Sequence, residues 1–269
     1  MSALLLPNRT FLHYEVLGRG MPPVLFLHTW VGSWRYWLAT MEELSINHRT
    51  YALDFAGFGS TLGGHLRQEL DDYLEQVEYF IQSMELREVV LVGHGLGAVV
   101  AIALAARHRE RVQRLVTIGA PLQPGWNAAL PSGAVEALAR LVGRKKEAFY
   151  TDLLLPEVRR VSPQAYQAAL QASAAVDVLA LARETTQPWL ALYGSQDPIF
   201  QHIMERNNGY WPLPSSPAHH VLVFERSGHF PMLEAPRPFH RLLRDFLGLP
   251  AGGDLRDLQL RDEWRRRFR

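Results

Sequence analysis

The sequence predicts an α/β fold, a mostly parallel central sheet flanked by helices, with a helical cap inserted late in the chain. Three observations carry this. Short apolar runs rich in β-branched residues alternate with stretches of helical periodicity. Most runs are continuous rather than alternating, the pattern of strands buried on both faces. One long stretch, residues 121–187, breaks the rhythm and holds helical patterns without a clear strand.

The predicted strands are residues 24–27, 50–53, 89–92, 115–118, 189–193 and 219–224. Between the second and third, Leu70, Tyr73, Leu74, Val77, Phe80, Ile81 and Met84 recur at helical spacing. Residues 96–107 form a second helix, rich in alanine so that it can lie close to the sheet. Phe239, Leu242, Leu243, Phe246 and Leu247 mark a third. Inside the expected cap, helical patterns fall near 135–150 and 164–182. The expected organisation is therefore a core of residues 1–120 and 188–250, a cap of 121–187, and a charged tail of 251–269. From Asp254 onward that tail carries six arginines and four acids and reads as a solvated or frayed end.

Composition narrows the functions. The chain has 28 basic and 27 acidic side chains, so neither nucleic acid nor an anionic membrane is expected as the main partner. There are no cysteines, which removes disulfides, a thiolate nucleophile and cysteine-ligated zinc, and fits a cytoplasmic protein. Residues 1–10 lack a basic start and do not read as a signal peptide. Residues 89–106 are almost all apolar and nearly long enough to span a membrane. Gly93, His94 and Gly95 interrupt them, and no aromatic belt or basic flank brackets them. A buried strand, a tight turn and a buried helix are expected there instead, with no membrane span. His219 and His220, neighbours on one strand, would face opposite ways, so no metal pair is expected.

The chemistry centres on that turn. Gly93, Gly95 and Gly97 lie between a strand and a helix, with position 95 where a nucleophile elbow, G-x-S-x-G, carries its serine. Gly93, Gly95 and Ala98 also satisfy the dinucleotide fingerprint G-x-G-x-x-G/A. That fingerprint wants an acid at the end of the next strand, and residues 117–121 read Thr-Ile-Gly-Ala-Pro. No cofactor and no metal are expected.

Four more loops occur in a telling order. Residues 25–33 run Leu-Phe-Leu-His-Thr-Trp-Val-Gly-Ser, and residues 54–60 run Asp-Phe-Ala-Gly-Phe-Gly-Ser. Residues 193–198 run Tyr-Gly-Ser-Gln-Asp-Pro, and residues 227–230 run Ser-Gly-His-Phe. With the elbow, this ordered set resembles the cap-bearing serine-hydrolase branch of the α/β-hydrolase superfamily, over most of the chain. The resemblance implies Asp197 as the acid, His229 as the base, and the backbone N–H groups of Trp30 and Leu96 as the oxyanion hole. An acid of this kind fixes the imidazole tautomer so that the second ring nitrogen can take a proton. His94 is assigned a structural role and Ser60 a bond to its own turn.

Two departures bear on function. Gly95 offers no nucleophile, and losing it from a serine triad costs about a millionfold in rate. Thr29 stands where the family usually has glycine; this resembles hydroxynitrile lyases, whose threonine hydroxyl helps to hold the carbonyl oxygen, and implies that Thr29 binds substrate, while Trp34, with Trp30 and Trp37, is expected to line the pocket. Those lyases also use a lysine, and this chain has only Lys145 and Lys146, both in the expected cap. Three readings follow. The Asp–His pair acts on water or substrate in the room left at Gly95, in hydrolysis without a covalent intermediate or in lyase-type proton transfer. Alternatively the chain is a pseudoenzyme that binds a ligand or protein. In the third, it is a serine hydrolase disabled by Ser→Gly replacement. The expected partner is a small, fairly apolar carbonyl or ester compound.

Overall fold

The computed structural model describes residues 2–61, 69–143 and 148–260. An eight-stranded sheet runs through it. Its strands are β1 (Ser2–Leu5), β2 (Phe11–Leu17), β3 (Val24–Leu27), β4 (Thr50–Leu53), β5 (Val89–His94), β6 (Val112–Ile118), β7 (Trp189–Gly194) and β8 (His219–Phe224). The spatial order is β1-β2-β4-β3-β5-β6-β7-β8. The pairs β1/β2 and β2/β4 are antiparallel, and every later pair is parallel.

The six expected strands form the parallel part, and the continuous runs have the expected cause: β3, β4, β5 and β7 are buried along their whole length. The two strands at the antiparallel edge are additions to the sequence reading. β1 alternates between half-buried and exposed positions, and β2 mixes His13, Tyr14 and Glu15 with aliphatic side chains. Such an edge has one wet side and gives no continuous apolar run.

The helices are α1 (Leu38–Leu44), α2 (Leu70–Ser83), α3 (Leu96–Arg107), α4 (Ala134–Val142), α5 (Leu155–Val158), α6 (Pro163–Ala174), α7 (Val178–Glu184), α8 (Pro198–Arg206), α9 (Pro231–Glu234) and α10 (Pro236–Gly248). Helix α3 is buried from Leu96 to Ala105, and its alanines let it pack against β5, β6, α6 and α7 at once. The apolar stretch from residue 89 is thus strand, turn and helix. Among the described residues no single helix is long and apolar enough to cross a membrane.

Helices α4 to α7 all fall between β6 and β7. The periodic stretch expected over 164–182 is two helices, because Ala175 ends α6 and the Asp177 side chain caps α7 by accepting from Ala180 N–H. This helical excursion is tied down by a buried carboxylate. Glu157 of α5 accepts from Ser33 Oγ at 2.8 Å and pairs with Arg35 and Arg160 at 3.3 Å each. Lys145 and Lys146 lie outside the described residues.

The start of the charged tail is docked rather than solvated. Leu255 N–H donates to Pro217 O just before β8, and Leu255 and Leu258 are buried. Residues 261–269 lie outside the described residues.

Candidate active site

Every parallel strand ends at the same edge of the sheet, the edge where open α/β sheets place their ligands. The loops leaving β3, β5, β6, β7 and β8 bring Thr29, Gly95, Gly119, Asp197 and His229 together there.

Asp197 follows β7 and caps α8. Its Oδ1 accepts from Ile199 N–H at 2.9 Å, and its Oδ2 lies 2.8 Å from His229 Nδ1. Capping and pairing are therefore done by opposite oxygens of one carboxylate. The carboxylate can only accept, so His229 Nδ1 carries the proton and Nε2 presents its lone pair. Both residues are buried, at 1% and 0% exposure. Their seat depends on Gly119, at φ +57°, just past β6. A Cβ there would come 2.4 Å from His229 Cε1 and 3.1 Å from Asp197 Oδ2.

Gly95 sits between β5 and α3 at φ 53°, ψ −108°, a conformation that glycine adopts without strain. From the sequence, open room is expected beside it. The structure corrects this: the space is filled by Thr29. A Cβ built on Gly95 would lie 2.1 Å from Thr29 Oγ1, 2.9 Å from Thr29 Cβ and 2.8 Å from the Trp30 ring. The Thr29 hydroxyl also lies 3.3 Å from His229 Nε2.

A chain of buried groups fixes Thr29 and the imidazole. Thr29 N–H donates to Tyr36 Oη at 2.9 Å, so Tyr36 donates its own proton to His94 Nδ1 at 3.0 Å. His94 then carries its proton on Nε2 and donates it to His229 O at 2.9 Å. On the other side, Phe55 N–H donates to His28 Nε2, which leaves His28 Nδ1–H to donate to Thr29 O at 2.7 Å. Both histidines are used as neutral rings. Burial pushes His94 well below the ordinary histidine value, and the neighbouring His229 adds to the shift. Burial also lowers His28, against the opposing pull of Asp54.

Trp30 roofs the cluster. Its ring stacks on Trp126 at 4.6 Å and lies over His229 at 6.0 Å, while Nε1 donates to Ser173 Oγ at 3.0 Å. Among the described residues the N–H groups of Trp30 and Leu96 donate to no protein acceptor. Trp34 is held by a different set of contacts: its N–H donates to Asp54, and its ring faces His13 at 5.9 Å and the Arg35 guanidinium at 5.2 Å.

A model of the alpha/beta hydrolase family matches residues 24–242. The chain belongs to the alpha/beta hydrolase family. The pimeloyl-[acyl-carrier protein] methyl ester esterase of Vibrio vulnificus is 25% identical over 266 residues, spanning 89% of this chain and 99% of that one. The 2-hydroxy-6-oxo-2,4-heptadienoate hydrolase of Pseudomonas putida is 28% identical over 255 residues, spanning 86% and 90%. Among solved structures, a hydrolase from Pseudomonas aeruginosa superposes with a TM-score of 0.78 at 19% identity, covering 92% of this chain and 98% of that one. An enol-lactonase from Burkholderia xenovorans superposes at 0.71, with 19% identity and coverage of 91% and 99%.

This alpha/beta hydrolase holds a second buried Asp–His pair that the sequence reading does not single out. Asp54 Oδ2 lies 3.0 Å from His13 Nδ1, and its carboxylate also takes the N–H groups of Trp34 and Ser60 at 2.8 Å each. The bond to Asp54 raises His13 above the ordinary histidine value despite its burial. Asp54 thereby organises the loops after β3 and β4. Gly119 and Tyr36 are the other additions. Gly119 shows in sequence only as the end of a strand, and Tyr36 only as one aromatic in a cluster. Among the described residues no group of acidic or histidine side chains is placed to hold a metal ion.

Proposed function

We propose that this alpha/beta hydrolase acts on small, largely apolar esters or related carbonyl compounds, with Asp197 and His229 as its proton-handling pair and Gly95 at the nucleophile position. The observation that carries this reading is the Nε2 lone pair of His229, held toward the centre of the site by the 2.8 Å bond at Nδ1. His229 takes a proton from the attacking group and returns it to the leaving group. The Trp30 and Leu96 N–H groups hold the oxygen on which negative charge develops. Residues 121–187 act as the cap, with Trp126 against Trp30 giving the apolar cover. The methyl ester esterase and the 2-hydroxy-6-oxo-2,4-heptadienoate hydrolase among the relatives support this substrate class.

No serine attacks from position 95. A chain that had merely lost a serine would keep the space for it, whereas here a residue-95 Cβ overlaps Thr29. Gly95 and Thr29 are complementary, which weighs against a simple Ser→Gly inactivation. The same pair also suits proton transfer in a lyase-type cleavage. Binding without turnover is the second reading, favoured by Thr29, Trp30 and His229 all being at 0% exposure.

Rates on phenyl acetate and phenyl butyrate test the proposal. Turnover that falls at least about 10²-fold in His229→Ala and in Asp197→Asn supports it, on the scale of a lost general base. Turnover that H229A leaves unchanged rejects it, and an inert wild-type chain favours the binding reading.

A further inference from the structure

We propose that the Thr29 hydroxyl is the attacking group of this site, a nucleophile moved from the turn after β5 to the loop after β3. The inference rests on the proton-handling role of His229 argued above. Three observations support it.

The first is position. Thr29 Oγ1 comes within 2.1 Å of where a side chain on residue 95 would begin. The hydroxyl therefore occupies the volume in which an elbow serine would stand, although it belongs to another strand's loop. The second is the direction of the hydrogen bond. His229 gives its Nδ1 proton to Asp197, so Nε2 can only accept, and the group facing it at 3.3 Å is Thr29 Oγ1. The hydroxyl donates its proton to the imidazole. A hydroxyl serving to hold a substrate carbonyl oxygen would need that proton free. A hydroxyl hydrogen-bonded to its base in this way is arranged as a nucleophile is with its general base. The separation is long for a hydrogen bond, as such contacts often are before substrate tightens them.

The third is fixation. The Thr29 backbone is pinned on both sides, N–H to Tyr36 and C=O to His28, and each of these partners is itself buried and bonded. Holding an attacking atom at one place converts binding into rate.

The chemistry balances with water as the second reactant. Thr29 Oγ1 attacks the ester carbonyl carbon as its proton passes to His229 Nε2. The tetrahedral intermediate collapses, the C–O bond to the leaving alcohol breaks, and the alcohol takes the proton from His229. The acyl-threonine ester is then attacked by water, whose proton passes to His229 and on to Thr29 Oγ1 as the carboxylic acid departs.

The test uses the full chain and a short-alkyl fluorophosphonate, which phosphonylates an activated hydroxyl whatever the native substrate. Adducts are mapped by peptide mass spectrometry and compared with turnover of phenyl acetate. The expected result is one adduct, on Thr29. It is retained in Thr29→Ser, absent in Thr29→Val, and formed at least about 10²-fold more slowly in H229A. Ester turnover should fall at least about 10³-fold in T29V and be rescued in T29S. Rescue by serine separates chemistry from folding. No adduct, or an adduct that T29V leaves in place, overturns the proposal. Turnover that survives T29V but is lost in H229A overturns it too, and makes water the attacking group while leaving the hydrolase reading standing. Turnover indifferent to H229A removes that hydrolase reading itself.

Discussion

At the scale of single residues, two glycines shape the site in opposite ways. Gly119 makes room for the imidazole, and a methyl group there would press on His229 Cε1 at 2.4 Å. Gly119→Ala is expected to displace the ring and lower ester turnover by about 10²-fold, the cost of a misplacement near 1 Å. Steady-state rates check this, with circular dichroism confirming that the fold survives. Gly95 instead makes room for Thr29. A serine at 95 would be strained at φ 53° and would overlap Thr29, so G95S should lose about 1–3 kcal/mol in urea unfolding. Adding Thr29→Gly should relieve the overlap and produce a burst of alcohol release from a serine that now has space. Only part of this is legible in the sequence. Asp197, His229, Gly95 and Thr29 stand out because they sit in, or depart from, short ordered motifs. That Thr29 fills the volume beside Gly95 is invisible there, because the contact joins loops from two strands. Gly119 fails to stand out for the same reason, since the residue it accommodates lies far along the chain.

At the scale of elements, the helices between β6 and β7 are joined to the rest of the chain by polar ties and aromatic packing. Glu157 is the main polar tie, buried and shared by Ser33, Arg35 and Arg160. Glu157→Ala strands the Ser33 hydroxyl and should cost about 2 kcal/mol, as for hydrogen bonds to a charged group. A lowered thermal midpoint and faster proteolysis within residues 121–187 would show it. Trp126 is the aromatic tie. Trp126→Ala should cost about 3–5 kcal/mol in stability yet speed fluorophosphonate labelling, because it uncovers Trp30 and His229. Slower labelling in a folded W126A chain would mean that Trp126 binds the probe rather than covering the site. The helical character of this stretch is readable from its periodicity, but its breaks are not. Asp177 divides α6 from α7 by a side-chain cap, a local event set within a continuous apolar pattern. The antiparallel edge, β1 with β2, is likewise hidden, because half-wet strands carry a weaker signal than buried ones.

At the scale of the whole molecule, the site is held by histidines used as neutral spacers, and this sets how stability follows pH. His28 and His94 are lowered by burial below the ordinary value of 6.5. The unfolded chain takes up protons near that value while the folded chain does not. Their contribution is therefore present above about pH 6.5 and lost as pH falls below it, by up to about 1.4 kcal/mol per pH unit for each ring. His13 runs the other way. The bond to Asp54 raises it, so its contribution is present below 6.5 and lost as pH rises through its folded value. Urea midpoints should accordingly fall between about pH 6.5 and 5.5, and a flat profile there would contradict the neutral roles of His28 and His94. The overall architecture is the most legible feature of the sequence, since six apolar strands and their ordered loops repeat one pattern along the chain. The proposed function turns on a proton arrangement across loops from β3, β7 and β8, and it can be measured directly. Nitrogen-15 spectra of the histidines in mildly alkaline solution report which nitrogen of His229 is protonated. A proton on Nδ1 that is lost in D197N, with a bare Nε2 whose resonance shifts in T29V, is the predicted result. A protonated Nε2, or an Nε2 resonance indifferent to T29V, would contradict the account.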